Sequence, residues 1–454
     1  MINTKTKIDR SNYFFNNKAL AGLIIPLIIE QFLNIAVGMI AVVMVASVGE
    51  AAVSGVALVD NIMFLFIGLS AALSTGGAVI AGQYLGQKNL KSGREATDQM
   101  IWFNTILAIV IMIIIYACRN LILGHVFGPI EADVREHASR YLSIVTATLP
   151  FIALYNAGSA IFRAMGNSKL PMIVAVIMNI ISISATMFFV FVLGLGTVGV
   201  GISILLSRII AAIIISYRLF NTNQELCLSR TLRYKPDWVM IKRTLKIGIP
   251  NGFENSMFQL GKVVLLGLIA SFGTYAITAN AVSMSIAMFQ ILPGIAITLA
   301  ITPITARCVG AGDYEQAEYY LKKLIGICIV AMAVINIIIL LLIPTLLQLY
   351  NLSDVTAETT RQILVFHGIT CIILWPIAFG VPSALRAAGD VKVVMIMSLV
   401  IVWVFRIGFS YLLARFFGLG VFGTWVAMIM DWVIRAIVMW LRYKSGKWKL
   451  IKSI

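Results

Sequence analysis

Charge is what this chain has least of. Only 12% of its 454 residues are Asp, Glu, Lys or Arg, against roughly a quarter in soluble globular domains. Acids are scarcest, 19 against 35 Lys and Arg. The three histidines, His125, His137 and His367, are isolated, and no HExxH, Walker-type or Ser/His/Asp spacing occurs. ATP hydrolysis and hydrolytic catalysis within this chain are therefore not expected, and the chain does not read as an enzyme. Five cysteines, Cys118, Cys227, Cys308, Cys328 and Cys371, form no CxxC pair and mostly lie in or beside apolar runs. Neither a disulfide framework nor a metal site is expected from them, and no cofactor motif accompanies them.

Apolar residues fill the space that charge leaves, at 60% of the chain. A membrane span needs about 20 largely apolar residues, and runs of that length recur from Ala19 to Leu441. The pattern predicts twelve spans, near 19–46, 52–80, 99–118, 141–162, 171–192, 198–217, 247–270, 276–302, 324–347, 362–384, 393–414 and 421–441. The first is too long for a signal-peptide core and lacks a small-residue cleavage site, so it reads as a retained helix. Placing the N-terminus in the cytoplasm puts 26 of the 35 Lys and Arg on that side. The formal charge of +16 then serves membrane orientation and anionic lipid rather than nucleic acid, and both termini are expected to face the cytoplasm of a bacterial-type inner membrane.

The chain also matches itself. A shift of 224 residues aligns Pro26 with Pro250, Glu30 with Glu254, Gly49 with Gly273, and the run GQKN (86–89) with GAGD (310–313). A shift of 223 pairs FRAMGNSK (162–169) with LRAAGDVK (385–392). Six spans per half is an even number, so the repeats have the same membrane orientation, one of the standard plans of secondary transporters. The expected fold is an all-α integral membrane protein of two parallel six-helix bundles. Its divisions are a first lobe over 1–217, a basic cytoplasmic linker over 218–246 read as a solvated, lipid-facing loop, and a second lobe with a basic tail over 247–454.

Ionisable groups within spans cost roughly 2.5–3.5 kcal/mol each on insertion scales, so they mark cavities or partners. They are Glu30, Asp60, Arg208, Glu254, Lys262, Arg406, Asp431 and Arg435. Glu30 and Glu254 each follow a helix-interrupting proline by one turn, where freed carbonyls and a carboxylate offer oxygens to Na⁺ or H⁺. Asp431 and Arg435 are four apart and share a helix face. Glu254 and Asp431, followed by Glu30 and Asp60, are the candidate ion-coupling groups, with Lys262, Arg406 and Arg435 as charge partners. Asn34, Asn179, Met257, Phe258, Met288 and Trp375 are candidates for a substrate cavity, because Met and aromatic faces repack around varied ligands. Each also suits an ordinary place in a helix interface.

The P-x-x-x-E openings, GQYLGQKN at 82–89, RCVGAGD at 307–313, FRAMGN at 162–167 and LRAAGD at 385–390 give the chain its resemblance to the multidrug and toxic compound extrusion (MATE) family. That resemblance covers about Ala19 to Arg442. It implies two six-helix bundles around a cavity that opens alternately to either side, and export of cationic or amphipathic organic compounds in exchange for Na⁺ or H⁺, by a monomer without a cofactor. The acid that many members carry on the first helix falls at Ala41 here, and the seventh- and tenth-helix acids of the NorM-type branch fall at Phe258 and near Trp375. Asn179 matches the polar fifth-helix position of the DinF-type branch. The rival readings are a lipid-linked precursor flippase of the wider superfamily, a channel, and a membrane enzyme.

Overall fold

The computed structural model describes residues 13–126, 131–229 and 235–451. The first half is built from α1 (Asn17–Ala46), α2 (Glu50–Gly86), α3 (Leu90–Ala117), α4 (Ala132–Thr146), α5 (Leu149–Ala164), α6 (Lys169–Val192) and α7 (Gly196–Leu219). The second half repeats the plan with α8 (Trp238–Ala270), α9 (Thr274–Gln290), α10 (Leu292–Gly310), α11 (Tyr314–Leu349), α12 (Asp354–Ala387), α13 (Val391–Phe416) and α14 (Gly420–Lys444). Every expected span has a helix. Ten of the described helices are long and apolar enough to cross a membrane unaided, and eleven spans result when α4 and α5, bent by 48°, are taken as one. The twelfth expected span is α8, where Glu254, Asn255, Gln259 and Lys262 dilute the apolar run.

Proline explains where the two halves differ. The first half breaks between α4 and α5, ahead of Pro150, whereas the equivalent α12 is continuous. The second half breaks between α9 and α10, ahead of Pro293, whereas the equivalent α2 is continuous. In both cases proline occupies the first turn of the following helix, where its missing N–H costs nothing. Pro26 and Pro250, by contrast, lie inside α1 and α8, which run on through them.

The repeated motifs are helix ends. Gly86 and Gly310 close α2 and α10; Lys88 and Gly312 take the left-handed conformation at φ 58° and 73°. Asn89 and Asp313 then cap α3 and α11 by accepting from the N–H groups of Ser92 and Gln316. The second motif ends α5 and α12 likewise, at Gly166 and Gly389 with φ of 81° and 95°.

Those same helix ends bring the halves together. α2 packs against α8 and α10, and α1 against α10. A Cβ on Gly86 would lie 2.1 Å from the Arg307 carbonyl oxygen, and one on Gly310 would lie 2.1 Å from the Gln83 carbonyl oxygen. These contacts exchange under the 224-residue shift, so the α2–α10 crossing lies on the pseudo-twofold axis. Gly76 faces Gly248 at similarly close range, and Gly82 faces Ala306. Small residues let the backbones touch, as in other membrane helix pairs.

The linker differs from expectation. Asp237 caps α8 through the N–H groups of Val239 and Met240, so Lys242, Arg243 and Lys246 belong to a helix rather than a loop. Leu226 and Leu228 are buried in the first half's core, and Arg94 donates to the carbonyls of Gln224 and Glu225. An ion pair from Glu225 to Arg307, at 3.6 Å, ties the linker to α10. Arg230 and Arg233 lie outside the described residues. Before α1, the Phe14 N–H donates to Gln316, and Phe15 exchanges two hydrogen bonds with the Tyr320 hydroxyl, fastening the chain start to α11.

Candidate functional site

Two pseudo-equivalent ion pairs connect the repeated motifs. Glu30, one turn past Pro26, meets Arg163 at 2.6 Å, and Glu254, one turn past Pro250, meets Arg386 at 2.7 Å. Both arginines occupy the last turn of their helices, where a cation also complements the helix dipole. Sequence topology had assigned Arg163 and Arg386 to cytoplasmic loops. They are instead interior partners of the two glutamates.

The resemblance between halves stops there. In the second half the pair extends into a chain. Arg435 lies 3.8 Å from Glu254 and 3.2 Å from Asp431, and Arg406 lies 3.7 Å from Asp431. Asp431 is fully buried, and Arg435 also donates to the Ser398 hydroxyl at 2.9 Å. The expected convergence of Glu254, Asp431, Arg406 and Arg435 is therefore present. Lys262 joins by another route: its ammonium lies 5.0 Å from the Phe258 ring centroid, and the Arg406 guanidinium 4.9 Å from the same ring.

The first half holds its polar residues in smaller groups, one of them Asp60, Tyr141 and Arg208. Asp60 accepts from the Tyr141 hydroxyl at 3.0 Å, and Arg208 donates to Thr148. Asn179 donates to Asn34 at 3.4 Å. Among the described residues no ion pair joins Glu30 to Asp60 or either to the second-half chain.

Three cavities of similar size surround Phe258 and Lys262. One, of about 270 Å³, is walled by Glu254, Phe258, Trp375, Phe379, Arg386 and Arg435. A second, of about 300 Å³, is walled by Lys262, Asn280, Met284, Arg406, Trp425 and Met428. The third, about 310 Å³, lies between the halves, with Phe64, Leu65 and Gly68 of α2 facing Asn255, Phe258 and Lys262 of α8. Asn255 and Phe258 wall both the first and the third, and Lys262 both the second and the third. Trp375, stacked on Phe379 at 4.8 Å, and Phe258 both line the first of these cavities. Met257 and Met288 line none of these three cavities; Met284, one turn from Met288, does. Asn280, Trp425, Phe379 and Ser398 were not singled out from sequence, since an isolated Asn or aromatic in an apolar run carries no signal of which way it faces.

Below this region the α2–α10 crossing and the contact of α2 with α8 close the space between the halves at the end bearing the linker. At the opposite end, Phe64 on α2 is 62% exposed and Ile277 on α9 45%. The halves meet backbone to backbone on the linker side.

Comparison with known proteins follows the same division. The family model described as MatE matches residues 26–188 and again 250–412, with its two starts at the 224-residue offset. A probable multidrug resistance protein NorM of Thermotoga maritima is 25% identical over 438 residues, covering 95% of this chain and 93% of that protein. An uncharacterized transporter, YisQ of Bacillus subtilis, is 27% identical over 437 residues, covering 95% and 94%. Among solved structures, an outward-facing MATE family transporter of the MOP superfamily superposes with a TM-score of 0.89 at 21% identity, over 95% of this chain and 96% of that one.

Proposed function

The chain belongs to the MatE family, the multidrug and toxic compound extrusion transporters, and on that premise we propose that it exports small organic compounds from the cell by alternating access between its two halves, in exchange for Na⁺ or H⁺. The observation that carries the reading is the cavity between α2 and α8 of the two halves, with the glycine crossing closing the space between them at the linker end. A sealed end built from a few small-residue contacts can separate as rigid halves rock, which is how parallel-repeat transporters work. Amphipathic compounds suit walls of Phe, Trp and Met interleaved with charge.

Coupling is assigned to Glu254 and Asp431, with Glu30 and Asp60 in support. Glu254 Oε2 and Glu30 Oε2 are buried with no hydrogen-bond donor among the described residues, and Asp431 Oδ2 has the Arg406 guanidinium only at 3.7 Å, which supports each taking a proton or contributing an oxygen to Na⁺. Arg406 and Arg435 are the charge partners of these acids, and Lys262 adds a further positive charge beside Arg406. Both termini and the linker face the cytoplasm in this reading, which makes the end closed by the glycine crossing the cytoplasmic one, and the monomer is the working unit.

The test is efflux of fluorescent dyes from proteoliposomes under a Na⁺ gradient and a pH gradient imposed separately, with Glu254→Gln and Asp431→Asn beside the parent. One gradient is expected to drive efflux, and each substitution to abolish that drive while dye binding persists. Folded protein that moves none of several dyes under either gradient would overturn the reading.

A further inference from the structure

The second cavity has two cations in its wall and no acid. Lys262 and Arg406 both line it. Asp431 is fully buried behind Arg406, and Glu254 faces the neighbouring cavity. Among the described residues Lys262 has no ion pair, and its near contact is the face of Phe258. Arg406 has only a share of a carboxylate, because Asp431 is 3.7 Å from it and 3.2 Å from Arg435. Around these cavities Lys262, Arg386, Arg406 and Arg435 stand against Glu254 and Asp431, an excess of two positive charges.

An ammonium at membrane depth without a counter-ion is costly, and such groups normally mark a pathway or receive a partner. A cationic ligand would add to the excess. An anionic one would supply what Lys262 and Arg406 lack, at a place with polar help: Asn280 accepts from the Trp425 indole through Oδ1 at 3.1 Å, leaving its NH₂ to donate. The remaining walls, Leu265, Ile269, Met284 and Met428, suit a hydrocarbon or aromatic body.

We propose that this cavity receives the anionic group, a carboxylate, sulfonate or phosphate, of an amphiphilic substrate, with Lys262 and Arg406 as its binding residues and the apolar wall holding its body. This deepens the export reading and rests on it for the word substrate. A free organic acid and an anionic lipid present the same chemistry.

The test titrates the purified full chain with two probes that share a fluorophore, dansylglycine, which bears a carboxylate, and dansyl-ethylenediamine, which bears an ammonium. Dansylglycine is expected to bind about tenfold tighter, and Lys262→Met to remove that preference while binding of the ammonium probe is kept or improved. Lys262→Arg should retain it. Arg406→Met adds a second reading, and Lys262→Met, which breaks no ion pair, guards against a folding defect. Displacement of dansylglycine by lysophosphatidic acid but not by lysophosphatidylcholine assigns the site to an anionic lipid; no displacement by either assigns it to a free organic acid. Equal affinity for the two probes, or dansylglycine binding unchanged in Lys262→Met, would overturn the proposal. No gradient enters this measurement, so a failure of gradient-driven efflux bears on the export reading alone.

Discussion

Glu30 and Arg163 show what a buried ion pair does at the scale of one residue. The Glu30 side chain is 4% exposed and that of Arg163 16%, so removing either leaves the other charged in a poorly solvated place. Breaking such a pair costs about 3–5 kcal/mol, whereas replacing both partners by apolar residues of similar size is often neutral. Glu30→Met or Arg163→Met alone should lower the thermal midpoint in detergent, and the double substitution should restore most of the loss. A double variant as unstable as the summed singles would mean that the pair is held by something other than mutual charge. The corresponding pair, Glu254 and Arg386, should restore less well when both are replaced, because Arg435 also leans on Glu254 at 3.8 Å. The carboxylates were legible in the sequence, since an acid in an apolar run is rare. Their arginines were not: Arg163 and Arg386 lie beside Gly-terminated helix ends, where a basic residue reads as topology.

Among the elements, α2 and α10 carry the seal, and its weak point is the lack of side chains. Gly86 and Gly310 meet backbone oxygens at distances a real Cβ does not tolerate, so alanine at either must push the helices apart. Gly310→Ala should loosen the linker-side end, and Cys308, fully buried on the same helix, reports it. In a variant whose other cysteines are replaced, maleimide labelling of Cys308 should rise with Gly310→Ala and with Gly86→Ala, and stay low with alanine at Gly326, where a Cβ meets nothing within 4 Å. Labelling indifferent to all three would show that the seal does not depend on this crossing. The repeat itself was readable, because 224-residue register survives in the glycines, prolines and caps that backbone geometry demands. The breaks between α4 and α5 and between α9 and α10 were not, although Pro150 and Pro293 mark them. A proline that opens a helix and one that sits inside it look the same until the chain's direction on either side is known.

For the whole molecule, the sign of the cargo decides what exchange does to the membrane potential. Moving one charge through about 100 mV is worth roughly 2.3 kcal/mol. A monovalent cation leaving as one Na⁺ or H⁺ enters is electrically silent, and the potential contributes nothing. An anion leaving as one cation enters moves two charges the same way, and an inside-negative potential of that size then contributes about 4.6 kcal/mol. The surplus of Lys262, Arg386, Arg406 and Arg435 over Glu254 and Asp431 belongs with the second case. In proteoliposomes clamped with K⁺ and valinomycin, efflux of an anionic dye should therefore quicken as the interior is made more negative, even with Na⁺ and pH balanced across the membrane. Efflux of a cationic dye should be unmoved or slowed. An anionic dye whose efflux ignores the clamp would mean that the anion leaves with one proton or cation beside it and no cation enters in exchange, so that no net charge moves. Glu254 and Asp431 would then be the groups to substitute next, because Glu254 Oε2 has no hydrogen-bond donor among the described residues and Asp431 Oδ2 has Arg406 only at 3.7 Å.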